Sequence, residues 1–456
     1  MATTYIKRDL SVSETIYKWT WSAWVKRGTI NGSAQNLFKS RTDGNNWVQC
    51  YFSDGGDVDR LHLHSYKNGG DHYKYTTTQR FRDTNSWYHF VLNVDSSQST
   101  AGDRVRIYVN GERITSFSTS TNNLTNGDSL IFNTSDSGTG HTIGSWNAGS
   151  YFTGSMSHIH YSSGYSYAPT VFGSTDSATG EWEINTSPSF TLGGNGYTVL
   201  KNGNTITDQS SNSNDFTLGA GTLTKTEDCP SNVFATLSPL YKNTTNDTIL
   251  ANGNTDGSCR DNTKAGTYTT LGMPSGKFYC EVKIREFQNA GEAVVGVTGR
   301  PQGDVHQNKN VGDTTQSAAY RTNGQSEINA TTASYGNSYD AGDIIGIAID
   351  VDNSKLYFSK NGTWQNSGDP TSGSTGTGAL SMPVAASACE EGAYFFGFGS
   401  TSTASSSAHK FSFNFGNGFF ASTAVSSAGT NASNNGIFEY DVPTGYTALS
   451  TKGLNL

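Results

Sequence analysis

The sequence predicts an all-β fold with two β-sandwich (jelly-roll) domains in tandem. Apolar and polar residues alternate with period two in many short segments, and no stretch shows a capped helical periodicity. Hydrophobic residues make up 34% of the 456 residues and charged residues only 15%, yet aromatic residues reach 12% and the net charge is −8. Disordered chains are poor in aromatic residues and rich in net charge. Short strands joined by polar turns therefore explain the composition better, and the length suits roughly two to three domains.

Three segments of the first half alternate clearly: residues 18–26, 87–94 and 105–110. Each predicts a strand with its apolar side chains on one face. Asn110-Gly111 ends the third segment and predicts a tight hairpin, because both residues tolerate positive φ. The predicted inward-facing residues are Trp19, Trp21, Ala23, Val25, Tyr88, Phe90, Leu92, Val94, Val105, Ile107 and Val109.

The second half repeats this pattern in residues 276–284, 343–350 and 411–415. Residues 293–297 form a short apolar run that predicts a buried strand. Asn361-Gly362 predicts a second tight turn. The predicted inward-facing residues include Ile345, Ile347, Ile349, Phe411, Phe413 and Phe415.

A polar stretch separates the two halves and predicts the domain boundary. We expect a first domain over residues 1–201, a connecting segment over 202–235 and a second domain over 236–456. The connecting segment is rich in Asn, Ser, Thr and Gly, and we expect it to pack over one of the domains. Residues 301–335 and 422–435 have a similar composition and predict surface loops.

Charge and hydropathy exclude several classes of partner. The sequence pI is near 5.6 and basic residues are not clustered, so we expect no nucleic acid partner. No apolar stretch approaches the length of about 20 residues that a membrane span needs. The N-terminus lacks the basic and apolar regions of a secretory signal, so we expect synthesis in a cytoplasm.

The five cysteines, Cys50, Cys229, Cys259, Cys280 and Cys389, are odd in number and widely spaced. No C-x-x-C pair occurs, so zinc and redox motifs are unsupported. We expect free and mostly buried thiols.

Four segments of the first half resemble laminin-G/concanavalin-like domains when taken in this order. They are Trp19-Thr20-Trp21-Ser22-Ala23-Trp24-Val25, Trp87-Tyr88-His89-Phe90-Val91, Ile107-Tyr108-Val109-Asn110-Gly111 and Phe152-Thr153-Gly154-Ser155-Met156. The second half resembles the SPRY domain, another sandwich of concanavalin-like architecture. That likeness is carried by Gly276-Lys277-Phe278-Tyr279, Val295-Gly296-Val297, Gly342-Asp343-Ile344-Ile345-Gly346 and, most specifically, Leu356-Tyr357-Phe358-Ser359-Lys360-Asn361-Gly362.

The pairing of these two domains, joined by Asp208-Gln209-Ser210-Ser211-Asn212-Ser213-Asn214-Asp215-Phe216, is similar to a group of tailed-phage virion proteins, many of them marine. The resemblance implies a location in the virion and a role as a tail fibre or appendage that adheres to the host surface. It implies other virion proteins and a host-surface polysaccharide or receptor as partners, and a homotrimer as the oligomer. An alternative is a capsid decoration or other accessory protein that binds virion proteins.

A polysaccharide depolymerase is the third alternative, because some concanavalin-like sandwiches cleave glycans. Such chemistry needs two carboxylates facing one another across the scissile bond. The paired-carboxylate strand motif of the sandwich glucanases is absent. Glu181 and Glu183 have an i, i+2 spacing but lie beyond the expected core strands. We therefore predict a binding protein, not an enzyme, with no catalytic residues.

Two kinds of metal site are conceivable, although we expect no obligatory cofactor. Laminin-G-like domains often hold calcium at the sandwich rim, and the densest acidic loop here contains Asp54, Asp57 and Asp59. Its Asp and Gly residues equally serve as turn formers. His62/His64 and His158/His160 could converge as four imidazole ligands if their strands met, or they could be ordinary sandwich histidines.

Aromatic residues near predicted strand ends are the candidates for contact with carbohydrate or a protein partner. Flat rings can stack on sugar faces, and they can equally cover the ends of a core. The candidates are Trp47, Trp146, Tyr151, Tyr165, Tyr167 and Trp364.

Overall fold

The computed structural model describes residues 3–10, 14–30, 32–53, 55–132, 140–203, 205–241, 248–260, 264–287, 292–306, 309–400 and 408–456. The chain divides into two compact units, Met1–Lys225 and Thr226–Leu456. Both units are β-sandwiches, so the predicted all-β fold is confirmed. No helix in the described part of the chain is long and apolar enough to cross a membrane.

The strands of the first unit form two large sheets and one small sheet. Their bounds are β1 Tyr5–Arg8, β2 Lys18–Arg27, β3 Gln35–Asp43, β4 Asn46–Phe52, β5 Arg60–Lys67, β6 Gly70–Arg80, β7 Tyr88–Asp95, β8 Val105–Val109, β9 Glu112–Arg113, β10 Phe117–Asn122, β11 His141–Ile143, β12 Gly154–Ser163, β13 Gly173–Thr175, β14 Trp182–Ile184, β15 Tyr197–Val199 and β16 Thr217–Ala220. The eight-stranded sheet has the order β10-β6-β5-β4-β3-β11-β1-β16, and the six-stranded sheet has the order β15-β12-β2-β7-β8-β9. Strands β13 and β14 pair separately.

The core of the first unit lies between its two large sheets, and the alternation predicted from the sequence fills it. Trp19, Trp21, Ala23 and Val25 of β2 are fully buried in this core, together with apolar residues of β7 and β8. The other residues of these strands therefore point away from the core. Asn110 and Gly111 have φ values of 47° and 83°, as the predicted hairpin requires.

The second unit has the same layered plan with one short helix. Its strands are β17 Ile249–Ala251, β18 Asp256–Arg260, β19 Ala265–Tyr268, β20 Lys277–Glu286, β21 Ala293–Thr298, β22 Ser317–Arg321, β23 Gln325–Ile328, β24 Thr331–Ser334, β25 Ile344–Asp350, β26 Lys355–Lys360, β27 Thr363–Trp364, β28 Leu380–Ser381, β29 Phe395–Ser400, β30 Ala408–Asn414, β31 Phe419–Phe420, β32 Thr423–Ala424 and β33 Thr447–Ala448, and its helix is α1 Pro301–His306. A nine-stranded sheet built around β17-β18-β30-β20-β25-β26-β27 packs on a six-stranded sheet with the order β19-β29-β21-β22-β23-β24.

Two sequence-based boundaries differ from the structure. No separate connecting segment forms, because residues 202–225 join the first unit, where β16 extends the large sheet beside β1 and Phe216 enters the core. Residues 226–235 join the second unit. The predicted loop over 301–335 contains α1, β22, β23 and β24, because Ala318 and Tyr320 supply the buried side of a strand that composition alone did not reveal.

In each unit, one buried polar side chain, which we call the clasp, binds a polar loop to the sandwich. In the first, Asp208 accepts the backbone N–H of Thr198 at 2.9 Å, which fixes β15 to the 208–216 loop. In the second, the buried Asn435 amide donates to Thr447 Oγ1 at 2.8 Å and Ser450 Oγ at 3.1 Å and accepts from Asn232 at 2.9 Å. Polar loops are thus bound to the sandwiches by side chains that satisfy buried backbone and hydroxyl groups.

Replacing Asn435 by Ala is expected to lower the free energy of unfolding of the second unit by about 1–3 kcal/mol, because several buried polar groups lose their partner. Urea denaturation with a unit-specific probe measures this change. Asn455→Ala serves as the control, since Asn455 is exposed and its side-chain amide donates to Thr451 O at 2.9 Å. An equal effect of the two substitutions would show that the clasp contributes nothing.

The expected free thiols are confirmed. Cys50, Cys259, Cys280 and Cys389 are buried and Cys229 is half-buried, and none forms a disulfide. Burial alone raises the pKa of the Cys50 thiol far above its ordinary value, so this thiol stays protonated and unreactive at neutral pH.

Candidate functional site

The outward face of the eight-stranded sheet carries a row of aromatic side chains. Val48, Cys50 and Phe52 of β4 enter the core, so the alternating residues Trp47, Gln49 and Tyr51 point outward. Leu61 and Leu63 of β5 enter the core as well, and this turns the alternating residues His62, His64 and Tyr66 outward beside them. The two strands therefore place six ring-bearing or amide side chains on one surface.

The rings on this face form a compact group that we call the aromatic face, defined by Trp47, His64, Tyr66 and Trp146. Trp47 stacks on Tyr66 with ring centroids 5.4 Å apart and planes 18° apart. Trp146 meets Trp47 edge-on at 5.3 Å, and His64 meets it edge-on at 4.6 Å. Trp47, Tyr66 and Trp146 are all half-buried, so each keeps part of its surface open to solvent.

A tight turn after β11 positions Trp146 over the sheet. Trp146 and Gly149 exchange two backbone hydrogen bonds of 2.8 Å, and Asn147 and Ala148 between them have φ values of 48° and 55°. Tyr151 closes the turn by donating its hydroxyl to Ala148 O at 2.7 Å. Left-handed backbone at Ala148 is costly and is held here by the surrounding contacts, a pattern common at functional sites.

Polar groups surround the aromatic face. Lys39 lies beneath the turn, with its ammonium 5.3 Å from the Trp146 ring centroid and bonded to Asn147 Oδ1. Asn36 donates to Gln49 Oε1 at 3.1 Å. His64 Nε2 donates to Asp71 Oδ1 at 2.7 Å, while burial lowers the pKa of His64 and favours its neutral form at pH 7.

This arrangement can bind a sugar ring. The apolar faces of pyranose rings stack on aromatic rings, and amides, carboxylates and ammonium groups hydrogen-bond to hydroxyls. Chain segments pack on the outward faces of the other large sheets. Residues 164–190 cover the six-stranded sheet of the first unit, and further clusters cover both sheets of the second. Among the described residues, no buried apolar cluster covers the eight-stranded sheet.

The structure brings together three of the six predicted contact residues. Trp47 and Trp146 touch, and Tyr151 completes the turn beside them. Tyr165 and Tyr167 pair with each other at 6.2 Å in the segment that covers the six-stranded sheet. They therefore form a separate surface of the first unit.

Trp364 lies in the second unit and packs into an apolar layer. Its ring is 6.4 Å from Tyr279 and 6.5 Å from Tyr357, two buried residues of the nine-stranded sheet. The segment that contains Phe438, Val442 and Tyr446 covers the same layer. Trp364 is half-buried by this packing and keeps part of its surface open to solvent.

The acidic loop considered for calcium has other partners. Asp59 is buried, and its two oxygens accept from Arg27 at 2.9 Å and Arg82 at 2.8 Å. Asp57 pairs with Arg60 at 2.9 Å, and Asp54 lies outside the described residues. No group of three or more metal-ligating side chains occurs in the part of the chain that the structure describes. Calcium binding at this loop stays a prediction.

The two histidine pairs do not converge. His62 and His64 lie on β5 of the eight-stranded sheet, whereas His158 and His160 lie on β12 of the six-stranded sheet. The core residues Leu63 and Ile159 alternate with them, so each pair faces away from the core on its own side of the sandwich. A bulge at His158, with φ 47°, also breaks the predicted alternation. Four-imidazole metal binding is therefore wrong.

Glu181 and Glu183 flank Trp182 on and beside β14. Both carboxylates are exposed, while the Trp182 ring turns inward and donates Nε1–H to His89 Nδ1 at 2.9 Å.

Sequence reasoning missed His64 and Tyr66 as members of the aromatic face, and Gln49 as the polar residue beside His64. Tyr66 and Trp47 are direct cross-strand partners, as are Gln49 and His64. Residues 60–67 alternate Leu with His and Tyr, and that signal could have identified a second outward-facing row. The register between β4 and β5 could not be read from the sequence.

Comparisons with known proteins agree with this fold. Residues 2–166 match the concanavalin A-like lectin/glucanases superfamily, and residues 277–398 match the SPRY domain. The chain therefore carries a concanavalin A-like domain followed by a SPRY domain. No curated protein sequence matches it.

Solved structures with similar regions include three of low sequence identity. The SPRY domain of human HERC1 is 18% identical, covers 39% of this chain and 96% of its own, and has a TM-score of 0.29. A putative carbohydrate binding protein from Bacteroides ovatus is 19% identical. The match covers 49% of this chain and 57% of that protein, with a TM-score of 0.31. Domain 4 of AbnA is 18% identical; AbnA is an extracellular arabinanase from Geobacillus stearothermophilus, and its domain was solved in complex with arabinotriose. The match covers 37% of this chain and 71% of that domain, with a TM-score of 0.27.

Proposed function

We propose that this chain is a glycan-binding adhesion protein that binds through the aromatic face of its first unit. The observation that carries the proposal is the Trp47–Tyr66 stack, which keeps part of its surface open to solvent, with Trp146 edge-on beside it. Gln49 and the His64–Asp71 pair supply hydrogen-bonding groups next to the rings. The proposal is of binding without catalysis, because the paired-carboxylate strand motif of the sandwich glucanases is absent from the sequence, and Glu181 and Glu183 are exposed beside Trp182.

The proposed setting is a phage virion, as part of a tail fibre or other appendage that contacts the host surface. The order of the two domains, with the Asp208–Phe216 type of connection, supports this setting. Cryo-electron microscopy of particles labelled with an antibody to this chain tests it. Label at the tail tip would agree with the proposal, and label on capsid capsomers would favour the decoration alternative.

Glycan binding is tested with the double variant Trp47→Ala/Trp146→Ala. We expect the affinity for any glycan that the wild type binds on an array to fall at least about tenfold, or about 1.4 kcal/mol, because the stacking surface is lost. Binding is measured by titration on the identified glycan, after far-UV circular dichroism has confirmed that the variant is folded.

Trp364→Ala is the matched control, since it removes one half-buried tryptophan from the second unit. It should leave the affinity unchanged. Two results would count against the proposal: no glycan bound by a multivalent form of the wild type, or equal affinities of the double variant and the wild type.

A further inference from the structure

One cross-strand row of the eight-stranded sheet runs through the proposed site and is rich in cations. The strand registers align Lys7 of β1 with Thr142 of β11, Thr142 with Lys39 of β3, and Lys39 with Gln49 of β4. They continue from Gln49 to His64 and from His64 to Lys74 of β6. We call this line the lysine row, defined by Lys7, Lys39, His64 and Lys74.

The lysine row faces outward along its whole length. Ile6 and Ile143 lie in the core and alternate with Lys7 and Thr142. Tyr73 and Tyr75 likewise enter the core on either side of Lys74. The row therefore lies on the same surface as Trp47 and Tyr66, which flank it on one side.

The charge of this row contrasts with that of the whole chain. The chain has a net charge of −8, yet the row contains three lysines, and Arg41 adds a fourth cation next to Trp47. Among the described residues, neither Lys7 nor Lys74 has a carboxylate within ion-pair distance. Asp71, which lies beside the row, is bonded to His64, and Asp43 at the end of β3 accepts the backbone N–H of Asn45. A face that concentrates positive charge on an acidic protein favours an anionic ligand.

The spacing of the cations adds a length scale. Neighbouring strands lie about 4.8 Å apart, so Lys7 and Lys39, two strands apart, are separated by about 9.6 Å along the row. Lys39 is buried and His64 is neutral at pH 7, so Lys7 and Lys74 are the charged side chains of the row that a ligand can reach. They lie five strands apart, or about 24 Å along the row. A polysaccharide of several sugars lying across the strands could therefore meet a cation at each end of the row.

We propose that the glycan bound at the aromatic face is an acidic polysaccharide that carries carboxylates, lying across the strands along the lysine row. This inference rests on the proposed function. The rings of Trp47 and Tyr66 stack on sugar rings beside the row, and Lys7 and Lys74 contact carboxylates at its two ends. Lys39 is buried beneath Trp146, and its positive charge attracts the anionic ligand without touching it.

A hyaluronan oligosaccharide is the probe for this proposal, because it carries a uronate on alternate sugars, and cellohexaose is the neutral comparison. Isothermal titration of the wild type at low salt should give tighter binding of hyaluronan than of cellohexaose. Added salt should weaken the binding of hyaluronan, because it screens exposed charges. Lys7→Ala/Lys74→Ala should weaken hyaluronan binding at least about tenfold, or about 1.4 kcal/mol.

The matched control is Lys201→Ala/Lys452→Ala, which removes two lysines outside the eight-stranded sheet and should leave the affinity unchanged. If Trp47→Ala/Trp146→Ala abolishes glycan binding while Lys7→Ala/Lys74→Ala does not change it, the acidic-glycan inference fails and the proposed function stands. If neither probe nor any arrayed glycan binds, both fail. Tighter binding of single-stranded DNA than of hyaluronan, lost in the lysine variant, would assign the row to nucleic acid and overturn the inference.

Discussion

Acidification from about pH 7.5 to about pH 5 is expected to unfold the first unit while the second unit stays folded. Three buried histidines of the first unit, His89, His141 and His160, have their pKa values lowered to about 3, first of all by burial away from water. His89 lies between Trp24 and Trp182, and His141 donates to Phe132 O at 2.6 Å in the core. The folded protein therefore keeps these rings neutral.

The sign of the effect follows from proton binding. Unfolded histidines have a pKa near 6.5, so below that pH the unfolded state takes up protons that the folded state does not. Above about pH 6.5 the neutral histidines leave the free energy of unfolding of the first unit undiminished, and this free energy falls as the pH is lowered toward their folded pKa values. At about pH 5 each histidine costs roughly 2 kcal/mol, or about 6 kcal/mol for the three, which is comparable to the whole stability of an ordinary domain.

Buried carboxyl groups give the second unit the opposite dependence. Burial raises the pKa of Glu281 to about 7 and that of Asp304 to about 6. Their folded states bind protons more tightly than the unfolded chain does, so the second unit gains stability as the pH falls from about 7.5 to about 5. Glu281 nevertheless accepts two backbone N–H groups, from Glu439 and Tyr440 at 2.8 Å, which hold the C-terminal segment on the sheet.

Tryptophan fluorescence separates the two transitions, because seven of the eight tryptophans precede Thr226 and only Trp364 follows it. Thermal melts at the two pH values should show a large fall in the fluorescence midpoint. Hydrogen exchange of peptides from Lys277–Glu286 should stay protected at the lower pH. A fluorescence midpoint that is equal at both pH values would contradict the prediction.

Asp59→Ala is expected to destabilise the first unit by about 3–5 kcal/mol, because it leaves the buried Arg27 guanidinium without its carboxylate. Arg27 is 1% exposed and lies over the Phe52 ring, 4.4 Å from its centroid, so water cannot replace the lost partner. Asp59 also has φ 64°, a region that an aspartate tolerates better than an alanine does. Urea denaturation followed by tryptophan fluorescence measures the loss.

Asp57→Ala is the control for this experiment. Its pair with Arg60 is partly exposed, and such pairs contribute about 0–1 kcal/mol. Equal free energies of unfolding for Asp59→Ala and Asp57→Ala would show that the buried ion pair stabilises the first unit no more than the exposed one does. The same proteins test the calcium prediction, since added calcium should raise the wild-type melting temperature only if the loop binds the ion.

The sequence by itself determined the fold class and the faces of the main strands. Trp19 to Val25, Ile345 to Ile349 and Phe411 to Phe415 have period-two patterns that can bury only one side, and these residues fill the two cores. Asn110-Gly111 and Asn361-Gly362 specified their turns through local backbone preference, and all four residues have positive φ.

Only the tertiary structure decided which surface is open and which side chains meet on it. Trp47 and Tyr66 are 19 positions apart in the sequence, and Lys7 and Lys74 lie on one face of the eight-stranded sheet, near its opposite edges. Their alignment depends on strand order and register, which are set by the packing of the whole sandwich and not by local pattern. For the same reason Tyr165 and Trp364 do not join the aromatic face, although they are equally aromatic in the sequence. The Tyr165 ring packs on Tyr167, and the Trp364 ring packs on Tyr279 of the second unit.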